Sequence, residues 1–310
     1  MFGAVLAAAL MLPAPQPAES IVFVSGANRL NVVDVATGEA QSREMKSLAA
    51  CGPELVVDEG RVVFAGMTRR QTTVMSLPLS LEGRPLRLGN AHAFVPSAAP
   101  GRVWLAGTTC TVAHMTGARE LTVDGTETVA STRRLPRGWL AAAVPSGLVL
   151  LQGRRPRVWS PQTGRLGARL PLDGVEDAHG NLLAGCALHA RCHRFAVVDS
   201  RSGNRRALRP PRGYTPSGSP QFSPDGSLVA FPVVRGRRWA LALGSGGGGQ
   251  ATLVPGSRTG RVFPSSDWSR SSGRLLFRAP GGLVKAYVPG SSRATQTEVR
   301  IEHRGPFAVG

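Results

Sequence analysis

Apolar residues occur along this chain in short runs, rich in Val, Leu and Phe, and each run stops at glycine or proline. Such runs are typical of short, largely buried strands, and no long segment has the periodicity of an amphipathic helix. The stretch QFSPDGSLVAF, Gln221 to Phe231, places two apolar runs on either side of Pro-Asp-Gly, which favours a tight turn. The pattern predicts an all-β protein built of hairpins.

The hairpin at Gly226 belongs to a repeat. Other glycines closely followed by an apolar run are Gly60, Gly101, Gly147, Gly180 and Gly273. When Gly226 is included, successive glycines of this set are 41, 46, 33, 46 and 47 residues apart. The similar stretch ESIVFVSG begins at Glu19, a further 41 residues upstream of Gly60. Seven units of this length that contain only strand signals predict a β-propeller of seven four-stranded blades.

Each unit divides into four strands, A to D. Strand A ends at the repeated glycine and strand B follows, while a second turn often separates strands C and D, as in DVATG at Asp34 and DSRSG at Asp199. In an up-and-down blade the A–B and C–D turns lie at one end of the ring, here called the A–B face. The B–C loops and D–A links lie at the other end, here called the B–C face.

The segment FSPDGSLVAF resembles the motif of TolB-like and WD-repeat-like propellers, in which a strand ending in W/F-S-P-D-G turns into a second strand. DWSRSSGRLLF at Asp267 is similar but lacks the Pro-Asp pair, and the remaining units keep only the glycine and the apolar run. The resemblance implies a propeller that displays surfaces to partners. It implies neither a catalytic site nor a particular partner.

The two chain ends are expected to meet in one blade. The first unit begins at strand B, because nothing strand-like lies between the first 18 residues and Ile21. The last residues, GPFAVG, have the form of a strand A with Gly310 in the position of the repeated glycine. We therefore expect the C-terminal strand to complete the first blade and to remove the exposed edges of an open ring. A frayed terminus is the alternative.

The first 18 residues read as a signal segment and residues 19–310 as a single propeller domain. An apolar run from Phe2 to Leu12 is too short to span a bilayer and fits the core of a secretory signal. No Lys or Arg precedes it, so either the signal is atypical or the start lies upstream, and no Cys follows it as in a lipoprotein. The expectation is an extracytoplasmic monomer without a transmembrane span.

Charge suggests where a partner binds. The chain has 37 Lys and Arg against 19 Asp and Glu, a formal net charge of +18. Five of the seven predicted B–C loops are basic, the first through Arg29. The candidate binding residues in the other four loops are Arg69, Arg70, Arg154, Arg155, His189, Arg191, Arg235, Arg237 and Arg238. Arginine binds carboxylate and phosphate through two parallel hydrogen bonds, so we expect an acidic protein or an anionic cell-envelope polymer as partner, and nucleic acid less so after export. The alternative is that arginine-rich coding leaves these side chains merely solvated.

The four cysteines suit an exported protein with two disulfides. Cys186 and Cys192 flank the fifth B–C loop, while Cys51 and Cys110 lie in neighbouring units on the B–C face, so the predicted pairs are Cys186–Cys192 and Cys51–Cys110. A metal site of Cys186, His189, Cys192 and His193 is the rival interpretation, although adjacent strand residues point to opposite faces.

Catalytic signals are few. The sequence has no G-x-S-x-G, H-E-x-x-H or P-loop motif, and no cofactor is predicted. Four carboxylates at turns, Asp58, Glu59, Asp124 and Asp225, are expected to bind local backbone. The five tryptophans are expected to pack between blades. A hydrolase or lyase with a site in the central channel is the alternative function, because such a site would be assembled from several blades.

Overall fold

The computed structural model describes residues 19–26, 28–45, 55–68, 71–91, 93–106, 117–131, 134–188, 192–271, 273–302 and 306–310. These residues form seven antiparallel sheets of four main strands each, arranged as the blades of a propeller. The predicted fold class and blade number are confirmed. The described part of the chain contains no helix long and apolar enough to cross a membrane.

The strands follow the predicted A-to-D order. Blades 1 to 3 contain β1 (Ser20–Ser25), β2 (Arg29–Asp34), β3 (Ala40–Glu44); β4 (Val56–Asp58), β5 (Arg61–Thr68), β6 (Gln71–Pro78), β7 (Leu86–Asn90); and β8 (Ala93–Pro96), β9 (Arg102–Ala106), β10 (Ala118–Thr122), β11 (Glu127–Ser131). Blades 4 and 5 contain β12 (Trp139–Val144), β13 (Gly147–Gln152), β14 (Arg155–Trp159), β15 (Leu166–Arg169); and β16 (Asp177–His179), β17 (Leu182–Cys186), β18 (Phe195–Asp199), β19 (Arg205–Arg209).

Blades 6 and 7 are less regular. They contain β20 (Thr215–Pro216), β21 (Gln221–Phe222), β22 (Leu228–Arg235), β23 (Arg238–Ser245), β24 (Gly249–Gln250), β25 (Thr252–Leu253); and β26 (Ser266–Trp268), β27 (Leu275–Arg278), a 3-10 turn at Pro280–Gly282, β28 (Leu283–Tyr287), β29 (Thr295–Arg300). In blade 6 the inner strand is divided, since β20 and β21 both pair with β22, and the short β24 pairs in parallel with β19 of blade 5.

The C-terminal strand closes the ring. β30 (Phe307–Val309) pairs antiparallel with β1 and forms the inner strand of blade 1, in the order β3-β2-β1-β30. The backbones of Ser20 and Gly310 exchange two hydrogen bonds, of 3.0 and 2.9 Å. The Arg274 guanidinium of blade 7 pairs with the Glu19 carboxylate beside this junction. The predicted closure is confirmed.

The core lies between blades, with one hydrophobic cluster at each of the seven junctions. Successive residues of a strand pack into the junctions on opposite sides of their blade, because side chains alternate across a sheet. Ile21, for example, packs against blade 7, and Val22 packs against blade 2. This arrangement explains the uninterrupted apolar runs, since both faces of each blade are buried.

The six repeated glycines all lie at the predicted turns, Gly147 as the first residue of β13 and the other five between two strands. All have positive φ, from 54° to 146°. At Gly147 two constraints act together. Its φ is 146°, and a Cβ there would lie 2.1 Å from the carbonyl oxygen of Trp159 on the neighbouring strand. Only glycine permits this approach at position 147. At Gly60, Gly180 and Gly273 a Cβ would meet nothing within 4 Å, so there it is the positive φ that favours glycine.

The expectation that all five tryptophans pack between blades is wrong for two of them. Trp104, Trp159 and Trp268 are buried. Trp139, at the start of β12, is 57% exposed, and Trp239, directly after the B–C turn of blade 6, is only half-buried. Both belong to predicted strands, but they lie toward the B–C ends of β12 and β23 and belong to none of the seven clusters between blades.

Candidate functional site

The B–C hairpin of blade 6 presents three arginines to solvent. Strands β22 and β23 pair up to Arg235 and Arg238, and Gly236 and Arg237 form a two-residue turn. Gly236 has a φ of 61°, so glycine alone supplies the geometry that such a turn requires. Arg235, Arg237 and Arg238 are exposed and form no ion pair within the described part of the chain.

The B–C hairpin of blade 4 is built in the same way but is partly neutralised. Gly153, with a φ of 65°, and Arg154 form its turn, and Arg154 is exposed. Arg155 differs from the prediction, because its Nε lies 3.6 Å from a carboxylate oxygen of Asp173 in the next D–A link. Arg157 donates to the carbonyl of Gly167. Of the arginines in this loop, Arg154 is therefore the one available to a partner.

Four other candidates, Arg69, Arg70, His189 and Arg191, lie outside the described residues, as do Cys51 and Cys110 with their predicted disulfide. The second disulfide is present: Cys186 and Cys192 are bonded, with Cα atoms 4.6 Å apart. This bond excludes the rival site in which both thiolates hold a metal. No cluster of three or more His, Cys, Asp or Glu side chains suited to a metal occurs among the residues that the structure describes.

The D–A links add arginines that sequence reasoning missed. The exposed arginines in these links are Arg134, Arg137, Arg212, Arg258 and Arg261. Topology places them on the B–C face, because each link joins the outer strand of one blade to the inner strand of the next. Residues 200–266 contain ten arginines and one acidic residue, Asp225, whose turn lies on the A–B face. That local charge imbalance could have been found in the sequence.

The A–B face uses its carboxylates locally. Asp34 and Asp199 each accept the backbone N–H groups of the residues two and three positions later, and Asp225 accepts that of Ser227. Asp225 also accepts hydrogen bonds from the hydroxyls of Ser223 and Ser227, and these bonds lower its pKa to about 2. The local role predicted for Asp124 and Asp225 is confirmed, and its lowered pKa leaves Asp225 ionised at any physiological pH. Asp58 differs from that prediction, because its carboxylate also bonds outside its own turn, to Gly101 and Arg270.

A channel of about 920 Å³ passes through the ring and is lined by residues of all seven blades. Its acidic residues are Asp58, Glu176, Asp177 and Asp267, and Arg270 also lines it. The three aspartates each bridge to the next blade: Asp58 accepts the N–H of Gly101 at 2.7 Å, Asp177 that of Phe222 at 2.6 Å, and Asp267 that of Val309 at 2.9 Å. These carboxylates hold neighbouring blades together.

Burial raises the pKa of two of these carboxyl groups. The pKa of Asp177 rises to about 7, although hydrogen bonds from the N–H groups of Phe222 and Ala178 oppose the change. The pKa of Asp267 rises to about 6 for the same reason, against hydrogen bonds from Val309 and Trp268. Arg270 extends from the A–B turn of blade 7 to Asp58 of blade 2, with 2.8 Å between Nη1 and Oδ2.

His179 also lines this channel. Its ring lies against the turn of blade 6, where a Cβ on Gly226 would be 2.1 Å from Cδ2, and 6.3 Å from the ring of Phe222. Within the described residues no hydrogen bond orients the imidazole. The channel therefore combines carboxyl groups in the neutral titration range with a histidine that no carboxylate positions.

Several solved structures align with this chain. AztD from Citrobacter koseri aligns with a TM-score of 0.52 at 12% identity, over 94% of this chain and 98% of that one. The WD40 domain of Toxoplasma gondii coronin gives 0.53 at 14% identity, over 83% and 72%. TolB from Acinetobacter baumannii gives 0.47 at 16% identity, over 77% and 64%.

The first two structures confirm that the resemblance seen in the sequence extends to the fold. At these identities it is the fold alone that is shared. No protein-family model matches the sequence, and neither does any curated protein.

Proposed function

We propose that this protein is an exported, non-enzymatic propeller scaffold that binds an acidic protein or an anionic envelope polymer through its B–C face. One observation carries the proposal. The turns at Arg154 and Arg237 are formed by glycine, so the fold does not need the arginines, and yet they stand exposed without carboxylate partners in the described part of the chain. Side chains that the fold does not use and charge does not balance are suited to binding an anion.

The affinity has to come from several loops at once. An exposed ion pair contributes about 0.2–1 kcal/mol, so a single arginine holds no partner on its own. Blades 4 and 6 and the D–A links between and beside them present their arginines on one face of a closed ring. An extended anionic ligand would meet several of these arginines together, and salt would weaken the complex through screening.

Export is the second part of the proposal. Residues 1–18 act as the signal segment, and the mature protein is the domain of residues 19–310, a monomer outside the cytoplasm. The apolar run from Phe2 to Leu12 supports this assignment, and so does the Cys186–Cys192 disulfide, because disulfides persist in oxidising compartments. N-terminal sequencing of the protein from the cell-envelope or secreted fraction should find a start near residue 19. An uncleaved protein in the cytosolic fraction would refute export.

The binding test compares two triple variants of equal charge. Arg154→Ser/Arg235→Ser/Arg237→Ser changes the B–C face, while Arg165→Ser/Arg201→Ser/Arg293→Ser changes exposed arginines at C–D turns on the A–B face. Arg43, another arginine outside the B–C loops, is unsuitable as a control because it donates to the carbonyls of Leu81 and Gly83 in blade 2. The probes are fluorescent polyglutamate and polyphosphate, with binding followed by anisotropy at two salt concentrations.

We expect the B–C triple variant to bind at least one probe about tenfold more weakly than the wild type, since three exposed contacts are lost. The A–B triple variant should bind within about twofold of the wild type. Equal losses in the two variants would mean that net charge, and not the B–C face, is responsible, and the proposal would fail.

A channel enzyme, a hydrolase or lyase, is the second candidate, favoured by the Asp177 carboxyl, whose pKa of about 7 suits a general acid or base. Its position on the wall of a 920 Å³ channel would let a small substrate reach it. The test is to screen the purified protein against hydrolase and lyase substrates and to repeat any positive assay with Asp177→Asn. An activity that Asp177→Asn abolishes would favour this function, and an activity unchanged in the variant would exclude Asp177 from it.

A further inference from the structure

An aromatic pair stands among the arginines of blade 6. The ring of Trp239, the residue after Arg238, meets the ring of Phe263 edge to face, with centroids 5.1 Å apart. Phe263 comes from the D–A link between blades 6 and 7, and it remains 41% exposed. Its neighbour Val262 is 38% exposed. Together, Trp239, Val262 and Phe263 form an apolar spot on the B–C face, here called the aromatic patch.

The link holds the aromatic patch in place by backbone hydrogen bonds. Thr259 and Trp239 pair as an isolated bridge, with the Thr259 N–H 2.8 Å from the Trp239 carbonyl. The Thr259 hydroxyl donates to the carbonyl of Val262. A Cβ on Gly218 would lie 2.6 Å from Cζ of Phe263, so this glycine leaves room for the ring. Val262 and Phe263 are therefore held at the surface by a defined local structure.

Six arginines lie in the loops and links that adjoin the aromatic patch. The exposed arginines of the adjoining loops and links are Arg212, Arg235, Arg237, Arg238, Arg258 and Arg261. None of them forms an ion pair within the described residues. Arg238 and Arg261 are chain neighbours of Trp239 and Val262. Exposed apolar groups beside arginines without ion pairs favour an occupant that is both apolar and anionic.

We propose that the aromatic patch and its six arginines bind an acidic polypeptide segment of a partner protein, with one apolar side chain of that segment resting on Val262 and Phe263. This inference rests on the proposed function and specifies the partner class. Tryptophan and arginine are among the residue types enriched where a protein interface gains most of its binding energy, and Trp239 and the six arginines supply both. Carboxylates of the segment would pair with the arginine forks, and the apolar side chain would remove the patch from water. A phosphate polymer has no group that gains from burying Val262 and Phe263.

The test uses probes that separate charge from apolar contact. Polyglutamate, a glutamate–tyrosine copolymer of equal net charge, and polyphosphate are each labelled and titrated with the wild-type protein. We expect the copolymer to bind about fivefold more tightly than polyglutamate, because an aromatic contact contributes roughly 0.5–1.5 kcal/mol.

The variants are Phe263→Ser, Val262→Ser and a control, Val288→Ser, which removes a 53% exposed apolar side chain near the C–D turn of blade 7. Phe263→Ser and Val262→Ser should each reduce the preference for the copolymer and leave polyglutamate binding within twofold, and Val288→Ser should change neither. Val262→Ser keeps the Trp239–Phe263 pair, so it serves if Phe263→Ser lowers the melting temperature.

Three results would overturn the inference: no preference for the copolymer in the wild type, a preference that survives both variants, or polyphosphate binding that exceeds both polypeptides. In each case the two arginine triple variants still test whether the B–C face binds anions, independently of the aromatic patch. If the B–C triple variant still loses binding, the basic face stands without an aromatic anchor. If it does not, both proposals fail.

Discussion

The two faces of the ring use charged residues in opposite ways. On the A–B face, Asp34, Asp199 and Asp225 complete the turns by accepting backbone N–H groups. On the B–C face, Gly153 and Gly236 make the turns with positive φ, and the adjacent Arg154 and Arg237 bond to nothing nearby among the described residues. The carboxylates of the A–B face thus stabilise their turns through hydrogen bonds. The arginines of the B–C hairpins contribute nothing comparable to theirs. This difference supports binding at the B–C face.

We expect the largest change in stability from a deletion that opens the ring, on which the positions of both faces depend. Deleting the residues Phe307–Gly310 removes the inner strand of blade 1, including the buried Phe307 and Val309. Burying two such side chains contributes about 3–6 kcal/mol, so the melting temperature should fall by roughly 10 °C or more.

Calorimetry on the deleted and full-length proteins would measure this. A melting temperature within about 2 °C of the full-length value would show that the terminal strand does not close the ring. The inference that the B–C loops share one face of a closed ring would then fail. Probe binding by the deleted protein should weaken in parallel with its stability.

The next effect compares channel carboxylates with those of the A–B face. The pKa of Asp177 is raised from 3.8 to about 7 and that of Asp267 from 3.8 to about 6. Between the ordinary and the raised pKa of each group, the folded protein therefore binds more protons than the unfolded chain. Their stabilising contribution is complete below about pH 4 and is lost as the pH rises through about 6 to 7. Asp225, with a pKa of about 2, acts in the opposite sense and loses its contribution only in strong acid.

The measurement is the melting temperature of wild type, Asp177→Asn and Asp267→Asn between pH 4.5 and 7.5. Each variant should show a shallower loss of stability with rising pH than the wild type, by at least about 3 °C across the range, given roughly 2–4 °C per kcal/mol. Identical slopes in all three proteins would contradict the raised pKa values.

The smallest effect contrasts one turn residue from each face. Asp225→Ala removes three hydrogen bonds from the A–B turn of blade 6 and should cost about 1–2 kcal/mol of the free energy of unfolding. Arg237→Ser, at the B–C turn of the same blade, should change that free energy by less than about 0.5 kcal/mol.

The free energies of unfolding of both variants can be measured in urea. Because both substitutions lie in blade 6, they are compared within the same blade. Should Arg237→Ser destabilise the protein as much as Asp225→Ala, the arginine would have a structural role after all. The argument that the B–C arginines are free for a partner would then be weakened.

Much of the ring could be predicted because it depends on local chemistry. Gly60, Gly101 and Gly226 mark turns that need positive φ, and this need is visible in any single unit. The apolar runs identify strands that are buried on both faces, and their spacing gives the number of blades. The tail GPFAVG could be assigned to blade 1 because the first unit lacked one strand.

The candidate site was predicted only in part, since it depends on distances across the ring. The B–C arginines of blades 4 and 6 followed from topology, but the pairing of Arg155 with Asp173 joins a hairpin to a link, and no local pattern predicts it. Trp239 and Phe263 are 24 positions apart and meet only because the link after β25 folds back on β23.

By itself, the sequence determined that this chain forms short strands, tight glycine turns and a seven-fold repeat, because each of these follows from the side chains and φ values of neighbouring residues. Tertiary structure alone decided which charges meet. Asp58, Asp177 and Asp267 come from three blades and became bridges between blades, with two raised pKa values, because ring closure buried them in a common channel. The arginines stayed exposed because their loops join strands at one end of the ring, outside the clusters between blades.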